Sequence, residues 1–107
     1  MKTKFAIKDR LLIFAILPKE GDILTLKAVK SLREELAFTK EEKVKFDITF
    51  DKEMGKYTWN EEKPYEKDLE ITDEQSQLIS SELESLNRQK KLRIEHIDLY
   101  ERFCQEE

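Results

Sequence analysis

The chain contains one cysteine, one histidine, two glycines and two prolines. A single cysteine, Cys104, excludes an internal disulfide and fits a reducing cytosol. With His96 as the only histidine, neither a zinc finger nor a catalytic zinc site of the usual nitrogen and sulfur type can be assembled from one chain. Phosphate-cradling loops need closely spaced glycines so that backbone amides can approach the ligand, whereas Gly21 and Gly55 stand alone. Long apolar runs are missing too. The stretch Leu11 to Leu17 is seven residues long, where a membrane span needs about 20. No small-residue cleavage site follows it, so no secretory signal is expected and the sequence points to a cytoplasmic protein without membrane association.

Catalytic groupings are equally scarce. His96 and Cys104 are eight positions apart on an expected helix, roughly 12 Å along its axis, which is too far for a nucleophile–base pair within that helix. His96 therefore reads as a surface or partly packed side chain. The carboxylate pairs Glu41-Glu42 and Glu61-Glu62 are flanked by lysine and are expected to be exposed, where no burial would raise a pKa for acid catalysis. The EF-hand pattern is absent as well. The sequence thus supplies no catalytic, metal-binding or cofactor-binding residues.

What the chain has is charge and periodic apolar residues. Its 107 residues suit a single domain, 1–107, with charged residues at 41% and hydrophobic ones at 38%. An economical core under a charged surface implies a soluble protein. Charge is uneven: residues 1–38 carry eight Lys and Arg against five Asp and Glu, and residues 39–107 carry twelve against nineteen, within a total of −4. Such asymmetry describes either solvated faces or an electrostatically chosen partner.

The pattern predicts a mostly buried helix from Ile7 to Leu17, ended by Pro18. Asp22 is placed to cap a second helix whose stripe is Leu24, Ala28, Val29, Leu32 and Leu36. Thr39 and Glu42 form a capping-box pattern for a short third helix. From Val44 the residues alternate, with Val44, Phe46, Ile48 and Phe50 on one side, which predicts a half-buried strand. Gly55 supplies the turn to a second strand carrying Tyr57 and Trp59. A loop, Asn60 to Lys67 with Pro64, precedes a third short strand at Leu69 and Ile71. Thr72 and Gln75 repeat the capping box before a long helix with Leu78, Ile79, Leu83 and Leu86, ending near Arg88, Lys90 and Lys91. A last helix from about Ile94 aligns Ile97, Tyr100 and Cys104, with Leu99 and Phe103 beside them. This order is α+β: helices, a small antiparallel hairpin or three-stranded sheet, then two C-terminal helices.

Tyr57, Trp59 and Tyr65 form an aromatic cluster that serves either the core or an interface, with Trp59 expected in the core beside Phe46, Ile48, Phe50 and Leu69. The segments Leu17-Pro18-Lys19-Glu20-Gly21-Asp22, Ser31-Leu32-Arg33-Glu34-Glu35-Leu36, Tyr57-Thr58-Trp59-Asn60 and Leu99-Tyr100-Glu101-Arg102-Phe103 resemble those of small uncharacterised phage and prophage proteins. That resemblance implies an accessory protein of a mobile element and transfers no activity or site residue.

The leading expectation is a non-enzymatic interaction or accessory protein with a protein partner. The alternative is a winged-helix-like nucleic-acid binder, since three helices followed by a hairpin is the order of that module and Lys27, Lys30 and Arg33 lie within two turns of the second helix. A pI near 5.2 counts against it. A third class is an acidic mimic of nucleic acid, built on the negative charge of residues 39–107.

Overall fold

Asp22, Thr39 and Thr72 each begin a helix by accepting a backbone amide hydrogen, from Thr25 at 2.7 Å, Glu42 at 3.1 Å and Gln75 at 3.1 Å. The Glu42 and Gln75 side chains return the bond to the amides of Thr39 and Thr72, so both capping boxes are complete. These local signals position much of the computed structural model, which describes residues 2–63 and 65–104. Pro64, expected in a loop, lies outside the described residues.

The elements run β1 (Lys2–Ala6), α1 (Ile7–Ile16), α2 (Ile23–Leu36), α3 (Lys40–Lys45), β2 (Thr49–Asp51), β3 (Lys56–Thr58), β4 (Glu66–Glu70), α4 (Asp73–Arg88), a 3-10 turn (Ile94–His96) and α5 (Ile97–Phe103). The α+β order expected from the sequence is present, with the two C-terminal helices. The strands form two separate antiparallel ladders, β1 with β4 and β2 with β3. In the first, Lys2 faces Glu70 and Lys4 faces Asp68. In the second, Phe50 faces Tyr57. The strand carrying Leu69 thus pairs with the start of the chain and does not extend the hairpin.

The main core joins Phe5 and Leu69 of the first ladder to Ile13, Val29, Leu32, Leu36, Ile79, Leu83 and Leu99 of the helices. Each such side chain contributes roughly 1.5–3 kcal/mol on removal from water. Ile7, Phe46 and Ile48 form a smaller cluster with half-buried Leu11, Phe38, Trp59 and Tyr65 against it. Helix α1 supplies residues to both clusters, so it is the wall between them.

Four sequence expectations are corrected here. The strand predicted from Val44 begins at Thr49, because α3 continues to Lys45 and the Phe46 amide still bonds back to the Glu42 carbonyl at 3.0 Å. Val44 is 79% exposed. Asp47 then adopts a φ of 54°, breaking the helical path before β2. Leu24, expected on the buried stripe of α2, is exposed: it belongs to the first turn, and the residues of this helix that are buried, Val29, Leu32 and Leu36, lie in its later turns. Ile97 is exposed while its neighbour Leu99 is fully buried, since α5 turns that face inward. Finally, β1 has no counterpart in the sequence reading, which placed no strand before α1.

Candidate interaction groove

Arg10 lies on the buried side of α1 and Glu42 on that of α3. The sequence reading placed Glu42 on the surface, yet it is 6% exposed and Arg10 is fully buried. The guanidinium donates from Nη2 to Oε2 at 2.8 Å and from Nη1 to Oε1 at 3.2 Å, a two-point ion pair. Burial by itself would raise the Glu42 carboxyl pKa. Hydrogen bonds from Arg10, the Thr39 amide and Tyr65, with the charge of Arg10, instead hold it at about 2. Burial, and after it the same bond to Glu42, pushes the Tyr65 hydroxyl pKa upward. A carboxylate locked in this state is a structural anion, unsuited to donating a proton near neutral pH.

The guanidinium also lies over the Phe38 ring, 4.8 Å from its centroid. Phe38 meets Phe14 of α1 edge-on at 6.3 Å and Tyr57 of β3 at 6.3 Å. Tyr57 meets its cross-strand partner Phe50 at 4.9 Å. A buried cation therefore supports a continuous series of rings that ends at the surface, where Phe50 is 49% and Tyr57 41% exposed.

Those outer rings form one wall of a groove of about 700 Å³ between α1 and the β2–β3 hairpin. Leu11, Phe14 and Ala15 form its other wall, and Lys19, Arg33 and Lys56 reach it from three different segments. None of its lining residues is acidic. A second concavity of about 410 Å³, between α1 and α4, has Glu82 and Glu95 beside Lys91 and Arg93, so charges of both signs line it.

The hairpin is fixed from within. Asp51 accepts the amides of Glu53 and Met54 at 3.0 and 3.3 Å, and the Gly55 amide bonds to the Asp51 carbonyl at 2.7 Å. Gly55 takes a φ of 65°, as the expected turn requires. The Asn60 amide donates to the Phe46 carbonyl at 2.8 Å and ties the end of the hairpin to the end of α3.

The three aromatics singled out in the sequence are thus divided. Tyr57 stands on the groove, Tyr65 stacks on Phe46 at 4.2 Å, and Trp59 lies half-buried against Ile7, Phe46 and Ile48. Trp59 follows β3, and its expected neighbours Phe50 and Leu69 belong elsewhere, one exposed and one in the main core. Of the α2 cations, Lys27, Lys30 and Arg33 are all exposed, and Arg33 lines the groove. His96, expected as a surface or partly packed side chain, is buried: its Nδ1 accepts the Arg93 amide at 2.9 Å and closes the 3-10 turn. The Cys104 thiol donates to the Ser80 carbonyl at 3.3 Å, and burial raises its pKa. Both side chains are engaged with backbone.

Phe14, Phe38 and the cations Lys19 and Lys56 escaped the sequence reading, because they come from separate segments and share no spacing pattern. Among the described residues no helix is long and apolar enough to cross a membrane. No protein-family model matches this chain, and comparisons with curated proteins and with solved structures find no match.

Proposed function

We propose that this protein is a non-enzymatic interaction module that docks a protein partner in the groove between α1 and the hairpin. The observation that carries this reading is the exposure of Phe50 and Tyr57, two large rings held against one another on a surface otherwise rich in charge. Contiguous exposed apolar groups beside a cleft mark interaction sites, and aromatic anchors supply much of the binding energy at such sites. The buried Arg10–Glu42 pair supports the reading by holding Phe38 behind them. The resemblance to phage and prophage proteins suits an accessory factor of a mobile element.

Affinity capture from the native host with wild-type protein and with a Phe50→Ser, Tyr57→Ser double variant tests the proposal. A specific partner retained by the wild type and lost by the variant is the expected result. Equal retention by both rules out the groove as the docking surface.

A second reading, nucleic-acid binding, draws on the exposed Lys27, Lys30 and Arg33 of α2. Its test is a low-salt gel shift with mixed duplex DNA. Binding that disappears in a Lys27→Glu, Lys30→Glu variant would favour it, and its absence at tens of micromolar protein would remove it.

A further inference from the structure

Resting on the groove as the docking surface, we infer that its occupant is an acidic, amphipathic peptide segment, with apolar side chains seated against Phe14 and Tyr57 and carboxylates meeting Lys19, Arg33 and Lys56. Charge is the first argument. The chain has 24 Asp and Glu against 20 Lys and Arg, yet three cations and no carboxylate line this groove. The ion pairs seen among the described residues lie elsewhere, at Arg10 with Glu42, Arg93 with Glu95, and Arg102 with Asp9 and Asp98. A cationic rim around an apolar floor is complementary to alternating carboxylates and apolar anchors.

Ring geometry is the second. Tyr57 inclines at 54° to Phe38 on one side and at 54° to Phe50 on the other, and Phe14 meets Phe38 at 74°. Phe50 at 49% and Tyr57 at 41% exposure are thus held in place by their neighbours, and rings fixed in this way anchor apolar side chains of a partner. The number of rim charges fits as well: a nucleic-acid strand carries a charge at every nucleotide and draws its affinity from many phosphate contacts, whereas this groove offers three cations. A few peptide carboxylates interact with the rim alone, because charges beyond about 8 Å are screened at physiological salt.

The test is selection from a random displayed-peptide library on the full chain, followed by titration of the selected peptides against three proteins: wild type, Phe50→Ser, and a Lys19→Glu, Arg33→Glu, Lys56→Glu variant. All three cations are exposed, so charge reversal leaves the core intact. The expected peptides are rich in Asp and Glu interleaved with Leu, Phe or Trp. They lose affinity with Phe50→Ser, bind the charge-reversed protein at least about tenfold more weakly, and weaken as salt is raised. Selected peptides that depend on Phe50 but carry no excess of carboxylates would overturn the acidic class and leave the docking surface standing. Peptides indifferent to Phe50→Ser, or no enrichment over bare support, would overturn the inference, and host capture then decides separately whether the groove docks any protein. Tighter, Phe50-dependent binding of oligothymidylate than of any selected peptide would overturn it in favour of nucleic acid.

Discussion

Arg10 and Glu42, separated by 32 positions in the chain, meet through two hydrogen bonds with the arginine side chain fully buried and the glutamate side chain 7% exposed. Removing one member of such a pair costs far more than the pair contributes over apolar packing, because the remaining charge stays buried without its counterion.

Glu42→Gln is therefore expected to destabilise the fold by about 3–5 kcal/mol near neutral pH. The carboxyl pKa falls from an ordinary value of 4.5 to about 2 on folding, so the stabilisation is fully present above about 4.5 and is lost as pH falls towards 2. Urea unfolding across this range should show wild type and Glu42→Gln converging at the acid end. A stability gap unchanged between neutral pH and pH 2 contradicts the ionised pair.

Trp59 packs half-buried on the smaller cluster, beside Ile7, Phe46 and Ile48. Trp59→Ala should cost about 2 kcal/mol, below the ~3–5 kcal/mol of a fully buried large aromatic. Emission from this single tryptophan should lie between the buried and fully solvated limits, with partial quenching by iodide. Quenching equal to that of free indole would displace Trp59 from this packing.

The Cys104 thiol is buried, bonded to the Ser80 carbonyl and shifted upward in pKa by its burial. Since the thiolate is the reactive form, an aromatic disulfide reagent should leave the native protein unmodified for as long as it stays folded. In denaturing urea the same thiol should react at once. Rapid reaction in native buffer is the contrary outcome.

Gly55 has a φ of 65°, and a Cβ added there would meet nothing within 4 Å. The cost of Gly55→Ala is then one of backbone conformation alone, about 1 kcal/mol. Gly55→Asn should cost less, since asparagine tolerates the left-handed region. Thermal unfolding of the two variants checks the order.

Helix starts were legible because their chemistry is local: Asp22, Thr39 and Thr72 cap residues three positions onward. The alternation from Val44 misled because Glu42 and Phe46 face inward four residues apart, as a helix dictates, while Ile48 follows a turn. Their combined spacing imitates a strand. Strand β1 was hidden since Lys2-Thr3-Lys4 is polar and its pairing with β4 is remote in sequence. The groove was hidden for a similar reason, as α1, α2 and the hairpin each contribute one part and tertiary packing alone brings them together.

β1 also sets an order of events during synthesis. Its partner β4 and the Arg102 guanidinium, which donates to the Lys4 carbonyl at 2.8 Å from 98 positions away, leave the ribosome long after it. Strand β1 is thus made well before the neighbours that pair with it. Until then Phe5, fully buried in the finished fold, lacks the side chains of β4 and α5 that cover it, and the closing step waits on those two elements.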